Sequence, residues 1–149
     1  MTRILFVCHG NICRSPMAEF IFKKLIKEAH KENDFYVESA ATSTEELGNP
    51  VYPPAKKELL KHGIDPTGKH SRQMTKFDYE EFDYIFIMDE NNARNIKYII
   101  GEDVCKKVYK LLDFAEIGGD VPDPWYFGNY DTVYNTIYTA CNKIIEKLS

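Results

Sequence analysis

Four short apolar runs punctuate this chain, and each leads, directly or across a loop, into a stretch with helical spacing. Arg3–Val7 (RILFV), Phe35–Ser39, Tyr84–Met88 (YIFIM) and Val108–Leu112 read as strands, because they are too short for helices and rich in β-branched and aromatic residues. Pro16 to about Lys31 reads as the first helix, with Met17, Ala18, Ile21, Phe22, Leu25 and Ala29 on one face. Pro16 suits its first turn, and Ser15 just before it serves as the N-cap. A loop rich in turn residues follows the second strand and leads to a helix through His62 that Gly63 ends. A further helix runs from about Glu90 to Ile99. In the last one Tyr130, Val133, Tyr134, Ile137, Cys141, Ile144, Ile145 and Leu148 form an apolar stripe.

Strands alternating with helices predict an α/β fold: a four-stranded parallel sheet with helices on both faces, three layers in a Rossmann-like arrangement. The 149 residues show no repeat, low-complexity tract or long linker, so residues 1–149 are expected to form a single domain. Ligands of such sheets bind beyond the carboxyl ends of the strands. Cys8 stands at one of these ends, and Asp89 and Asp113 follow two others.

A net charge of −4 gives no global attraction to nucleic acid or to anionic membrane, so an anionic ligand needs a local positive site. No segment approaches the length of a membrane span, and Ile4–Val7 is too short for a signal-peptide core. A cytoplasmic protein with reduced thiols is the expectation. The cysteines, at 8, 13, 105 and 141, include no Cys-x-x-Cys pair, and the four histidines form no His-x-x-x-His pair. Neither a metal nor a cofactor is expected.

The turn after the first strand, "CHGNICRSP", combines Cys8, Gly10, Asn11, Arg14, Ser15 and Pro16. A strand-to-helix turn of this kind aims backbone N–H groups and a helix dipole into one concavity, an arrangement suited to a tetrahedral oxyanion. Here it surrounds the Cys8 sulfur and favours the thiolate. Arg14 adds a planar fork for two phosphate oxygens, and Ser15 can donate its hydroxyl to the sulfur. The pattern points to nucleophilic attack by Cys8 on an anion held by residues His9 to Ser15. No Gly-x4-Gly-Lys-Ser/Thr is present, which sets a nucleotide-binding loop aside. For Cys13 the residues alone leave a small apolar filler, half of a metal site, a structural bridge and a companion thiol all open.

Cleaving a phosphate ester also needs a proton for the leaving oxygen, which a thiolate cannot supply. Asp123 in "VPDPWYFG" fits, since Pro122 and Pro124 restrict its approach and aromatic neighbours flank it. The alternative is a Pro-rich turn whose Asp caps the last helix.

"VCHGNICRSP" resembles the phosphate loop of the low-molecular-weight protein tyrosine phosphatases almost residue for residue. The segments "VESAATSTEELGNP", "FDYIFIMDENNARN" and "DVPDPWYFGNYDTVY" extend the resemblance over essentially the whole chain. It implies a protein-tyrosine phosphatase that forms a phosphocysteine on Cys8. Phosphotyrosine proteins or small aryl phosphates would be substrates, inorganic phosphate the product, and the enzyme a monomer. Asp123 matches the family's general acid, Ser39 a supporting serine beside Asn11 and Ser15, and Trp125 and Tyr126 aromatic positions of the cleft. A reversible Cys8–Cys13 bond that shields the nucleophile from over-oxidation is also implied.

Two departures stand out. Many members carry an aromatic where this chain has Glu45, followed by Glu46, which should disfavour acidic residues flanking the phosphotyrosine. The family's supporting His in "H-x-A-R-Q" has no counterpart in register, because this chain reads "KHSRQ" with His70 one position away. Cys141 reads as core, and Cys105 has no assigned role.

Rival chemistries are weaker. An arsenate reductase on this fold needs further redox cysteines, and none lies between Cys13 and Cys105. Protein arginine phosphatases on this fold tend to carry Thr where Ile12 stands. A cysteine-phosphorylated sugar-transport carrier lacks Cys-x5-Arg with a separate acid, and a non-catalytic anion-binding domain leaves Cys8 and Asp123 unexplained.

Overall fold

Ile4, Leu5, Phe6 and Val7 are fully buried because their strand lies inside a sheet covered on both faces. The structure is a computed structural model that describes residues 1–149, apart from the side chain of Phe127. In chain order the elements are β1 (Thr2–Cys8), α1 (Arg14–Glu28), β2 (Phe35–Ala41), α2 (Pro53–Lys61), α3 (Lys76–Glu81), β3 (Tyr84–Ile87), α4 (Glu90–Ile100), β4 (Val108–Lys110), α5 (Leu111–Phe114), α6 (Pro124–Phe127) and α7 (Tyr130–Leu148). The four strands form one parallel sheet in the order β2-β1-β3-β4, as the alternation predicts.

Side-chain alternation splits β1 between two cores. Ile4, Phe6 and Cys8 face the larger one, with Met17, Phe22, Val133 and Ile137 from α1 and α7. Leu5 and Val7 face the smaller one, with Phe82, Ile85 and Ile96. Phe6 sits 5.8 Å from the rings of both Phe22 and Phe86, which locks α1 and β3 onto the central strand. The chain leaves β1 for β2 on one side and later returns to β3 on the other. The end of β1 is therefore the point where strand order reverses, and Cys8 occupies it.

The boundaries differ from expectation in several places. The first helix stops at Glu28 rather than near Lys31; His30 turns left-handed (φ 57°), and Ala29 is left exposed. The first helix begins at Arg14, so Ser15 lies within it and is not its N-cap. Cys13 holds that position without a side-chain cap, and the Ser15 hydroxyl turns to Cys8 instead. The second strand continues through Ala40 and Ala41, which pair with Val7 and Cys8 and carry the sheet up to the loop. The fourth strand stops at Lys110, because Leu111 and Leu112 bury themselves as the first turn of α5. Among the described residues, no helix is long and apolar enough to cross a membrane.

Candidate active site

Between Cys8 and Arg14 the chain makes one tight turn, and its scaffold lies behind it. Asn11 takes the left-handed conformation (φ 57°), which asparagine tolerates better than most residues. Its buried amide donates to Ser15 Oγ (2.7 Å) and Ser39 Oγ (3.0 Å). The Gly10 carbonyl accepts from Ser71 Oγ (2.8 Å), the His9 carbonyl from Ser43 Oγ (2.9 Å), and the Ile12 carbonyl from the Tyr52 amide (2.9 Å). Three of the turn's carbonyls are thus engaged by the scaffold, and its amides face the side where an anion can be held.

Cys8 is almost fully buried, with its sulfur 3.0 Å from Ser15 Oγ. It opens onto a cleft of about 330 Å³ together with His9, Gly10, Ile12, Cys13 and Arg14. Asn11 and Ser15 brace the turn from behind rather than lining that cleft.

Arg14 is buried as well, and its position is set by distant parts of the chain. Nη1 donates to Asp89 Oδ2 (2.7 Å) and to the Val121 carbonyl (2.9 Å). Nη2 lies 3.7 Å from Asp123 Oδ2. Burial opposes the guanidinium charge, but Cys8 and Asp89 overcome it and raise the Arg14 pKa above its ordinary value. Asp89 itself caps α4 through the Asn92 amide (2.9 Å), so the strand-end carboxylate anchors both the helix and the arginine. Asp113, the other strand-end acid, lies in α5 and lines no part of the cleft.

Asp123 reaches the same cleft from the opposite direction. Its Oδ1 accepts from the Trp125 amide (3.0 Å) as the cap of the short α6, not of the last helix. Its Oδ2 is left to face Arg14. Trp125 and Tyr126 extend one wall, and Tyr52 backs Trp125 with ring centroids 4.7 Å apart. Glu45 and Glu46 form the facing rim, where Glu45 Oε2 meets His9 Nε2 at 2.9 Å.

Cys13 shares the cleft with Cys8. Burial, followed by the neighbouring Cys8 charge, pushes its thiol up to about 12. At neutral pH it is therefore a neutral thiol, and its sulfur lies 3.8 Å from Tyr130 Oη. Both cysteines are free. Cys141 is fully buried on α7, as expected for core, and Cys105 is exposed.

Three contributions escaped the sequence pattern. Asp89 was visible as a strand-end acid but not as the partner of Arg14. Tyr52 gave no signal at all. His70 lies on the surface, with Nδ1 3.1 Å from the Gly48 carbonyl. The side chain that reaches the back of the loop is its neighbour Lys69, which donates to the Ser39 carbonyl (2.8 Å).

Known proteins resemble this chain over nearly its whole length. A family profile described as low molecular weight phosphotyrosine protein phosphatase matches residues 3–149. The Gallus gallus low molecular weight phosphotyrosine protein phosphatase is 42% identical over 151 residues, covering 97% of this chain and 94% of that protein. The Bacillus subtilis low molecular weight protein-tyrosine-phosphatase YfkJ is 37% identical over 150 residues, covering 99% and 96%. The YfkJ crystal structure superposes with a TM-score of 0.93 over 99% of this chain and 94% of that one. A Drosophila arginine phosphatase shares the fold at 27% identity and a TM-score of 0.87, covering 99% and 97%. The profile match spans the Cys8 loop, the buried Arg14 and the proline-flanked Asp123 alike, and the chain belongs to the low molecular weight phosphotyrosine protein phosphatases.

Proposed function

We propose that this chain hydrolyses phosphotyrosine and small aryl phosphates through a phosphocysteine on Cys8. The convergence of Cys8, Arg14 and Asp123 on one cleft carries this reading. Cys8 Sγ attacks phosphorus in line with the leaving oxygen, so that an S–P bond forms as the P–O bond breaks. Asp123 carries a proton into this step and passes it to the leaving phenolate. The amides of His9 to Ser15 and the outer edge of the Arg14 guanidinium hold the three non-bridging oxygens. Water then attacks phosphorus and gives its proton back to Asp123. The S–P bond breaks, releasing inorganic phosphate and the Cys8 thiolate, which the Ser15 hydroxyl steadies. Cys13, held as a neutral thiol, does not compete with the Cys8 thiolate. Once a peroxide oxidises Cys8 to a sulfenic acid, the Cys8 charge that raises Cys13 is gone, and the Cys13 sulfur can attack the Cys8 sulfur, forming the S–S bond and releasing water.

The deep floor and the wall of Trp125 and Tyr126 favour a flat phenyl phosphate over short phosphoserine. Incubation with phosphotyrosine, phosphoserine, phosphoarginine and arsenate tests the substrate class. Phosphotyrosine turnover is expected to dominate, and Cys8→Ser is expected to fall to the uncatalysed background. Faster release from phosphoarginine, or arsenate reduction coupled to a thiol donor, would replace the proposal.

The acidic rim gives a second expected result. Glu45→Lys reverses one charge at the mouth, where the side chain is 71% exposed. Phosphotyrosine peptides with acidic flanking residues should gain about 3–10-fold in kcat/KM relative to basic-flanked ones. The gain should shrink as salt rises, and a ratio that ignores both the substitution and the salt would leave the rim without a part in selection.

A further inference from the structure

His9 is bound to the acidic rim through both its backbone and its side chain. Its carbonyl accepts from the Ser43 amide (3.1 Å) and the Ser43 hydroxyl (2.9 Å), and its imidazole meets Glu45 Oε2 (2.9 Å). The adjoining Gly10 packs against the same rim, so that a methyl group there would lie 3.3 Å from Glu46 Cγ. These contacts hold the imidazole at the entrance, 46% exposed, where it lines the cleft with the nucleophile and both rim acids.

The contact with Glu45 survives a change in the charge of the ring. An ionised carboxylate only accepts, so His9 Nε2 carries a hydrogen in this bond. A charged ring carries a second hydrogen on Nδ1, and a neutral ring lacks it. Losing that hydrogen leaves the bond and the rim geometry in place and changes only the charge at the entrance. The pair goes from neutral to singly negative. Among the described residues Glu46 meets no cation to offset its own charge, since its carboxylate accepts from the neutral Asn49 amide (2.6 Å). Histidine is the side chain whose ordinary titration falls between about pH 5 and 8.

We propose that His9 is a specificity-determining residue whose proton sets how strongly the rim rejects acidic sequences beside the phosphotyrosine. The inference rests on the cleft taking phosphotyrosine, as proposed above. With the ring charged, Glu45 is offset, and acidic-flanked peptides enter more readily. With the ring neutral, both rim carboxylates act unopposed, and basic-flanked peptides are favoured. Both partners are open to solvent, which limits the effect of this one charge to about 2–3-fold.

The test is the ratio of kcat/KM for a basic-flanked over an acidic-flanked phosphotyrosine peptide, followed from about pH 5.5 to 7.5 at low ionic strength. In the parent the ratio should rise by about 2–3-fold across that range, and added salt should shrink the step. His9→Gln keeps an N–H for Glu45 but cannot gain a charge, so its ratio should stay near the parent's high-pH value throughout. The other charged or titratable groups at the cleft are Cys8, Cys13, Arg14, Glu46, Asp123 and Tyr126, and the peptide's own phosphate titrates in the same range. The substitution alters none of them, so a step that belongs to any of them would persist in His9→Gln. A parent ratio that ignores pH, or a step of equal size in His9→Gln, overturns the inference.

Glu45→Gln separates the two partners. It should lower the ratio at every pH yet keep the step, because the titrating ring remains. A step that vanishes here would belong to the carboxylate and count against His9, and this variant decides alone if His9→Gln fails to fold. Affinities of the same peptides for Cys8→Ser give the ratio without turnover. A parent that turns over neither peptide, while those affinities show the step, would defeat the proposed function and leave this inference standing.

Discussion

Asp123→Asn is expected to slow phosphotyrosine turnover by about 10²–10⁴-fold, the usual range for removing a positioned general acid. The substitution keeps the geometry, because an asparagine oxygen can still accept the Trp125 amide hydrogen bond that caps α6. It also keeps the aromatic wall, which is held by Tyr52 rather than by Asp123. What it removes is the proton for the leaving phenolate. The loss should therefore depend on the leaving group: large for phosphotyrosine, and much smaller for a nitrophenyl phosphate whose phenolate departs unaided. Measuring kcat for a series of aryl phosphates against the acidity of the parent phenol checks this. A uniform loss across the series would make Asp123 a binding residue instead.

Arg14→Lys is expected to cost about 10²–10³-fold in kcat/KM, the loss typical of removing a preorganised donor from a developing oxyanion. The positive charge survives, so the comparison isolates geometry. A guanidinium can place one nitrogen against Asp89 and the Val121 carbonyl and still turn its other edge to the substrate. An ammonium on a flexible stem cannot hold Asp89, Val121 and two phosphate oxygens at once. Because those oxygens are held most firmly at the transition state, kcat should fall and inhibition by inorganic phosphate should weaken. A rise in KM with kcat untouched would mean that Arg14 binds substrate and transition state equally.

Much of this site is legible from residues close together in sequence. Continuous apolar runs mark β1 and β3 because both faces of those strands are covered, and a cysteine directly after such a run falls at the ligand end of a parallel sheet. Asp123 is legible because two prolines and two aromatics mark its loop. Ser15 is ambiguous in sequence for a specific reason: a hydroxyl before a proline looks the same whether it caps a helix or faces a sulfur inside its first turn. The end of the fourth strand is not legible because leucines suit a strand and a buried helical turn equally. Contacts between distant segments left no local trace, so Tyr52 against Trp125 and Lys69 against Ser39 could not be foreseen.

The anchoring of Arg14 also bears on when the site comes into being. Its partners Asp89 and Val121 lie 75 and 107 positions further along the chain, and the Tyr130 hydroxyl beside Cys13 lies 117 positions beyond it. A ribosome releases the cysteine first and the groups that arm it last. A nascent chain that has not yet passed Val121 therefore carries Cys8 without its fixed guanidinium, and in the proposed mechanism nucleophilic power arrives only as the late, non-local contacts close. Reactivity is in this sense a property of the finished fold, withheld from the partial chain by the same connectivity that later makes the loop rigid.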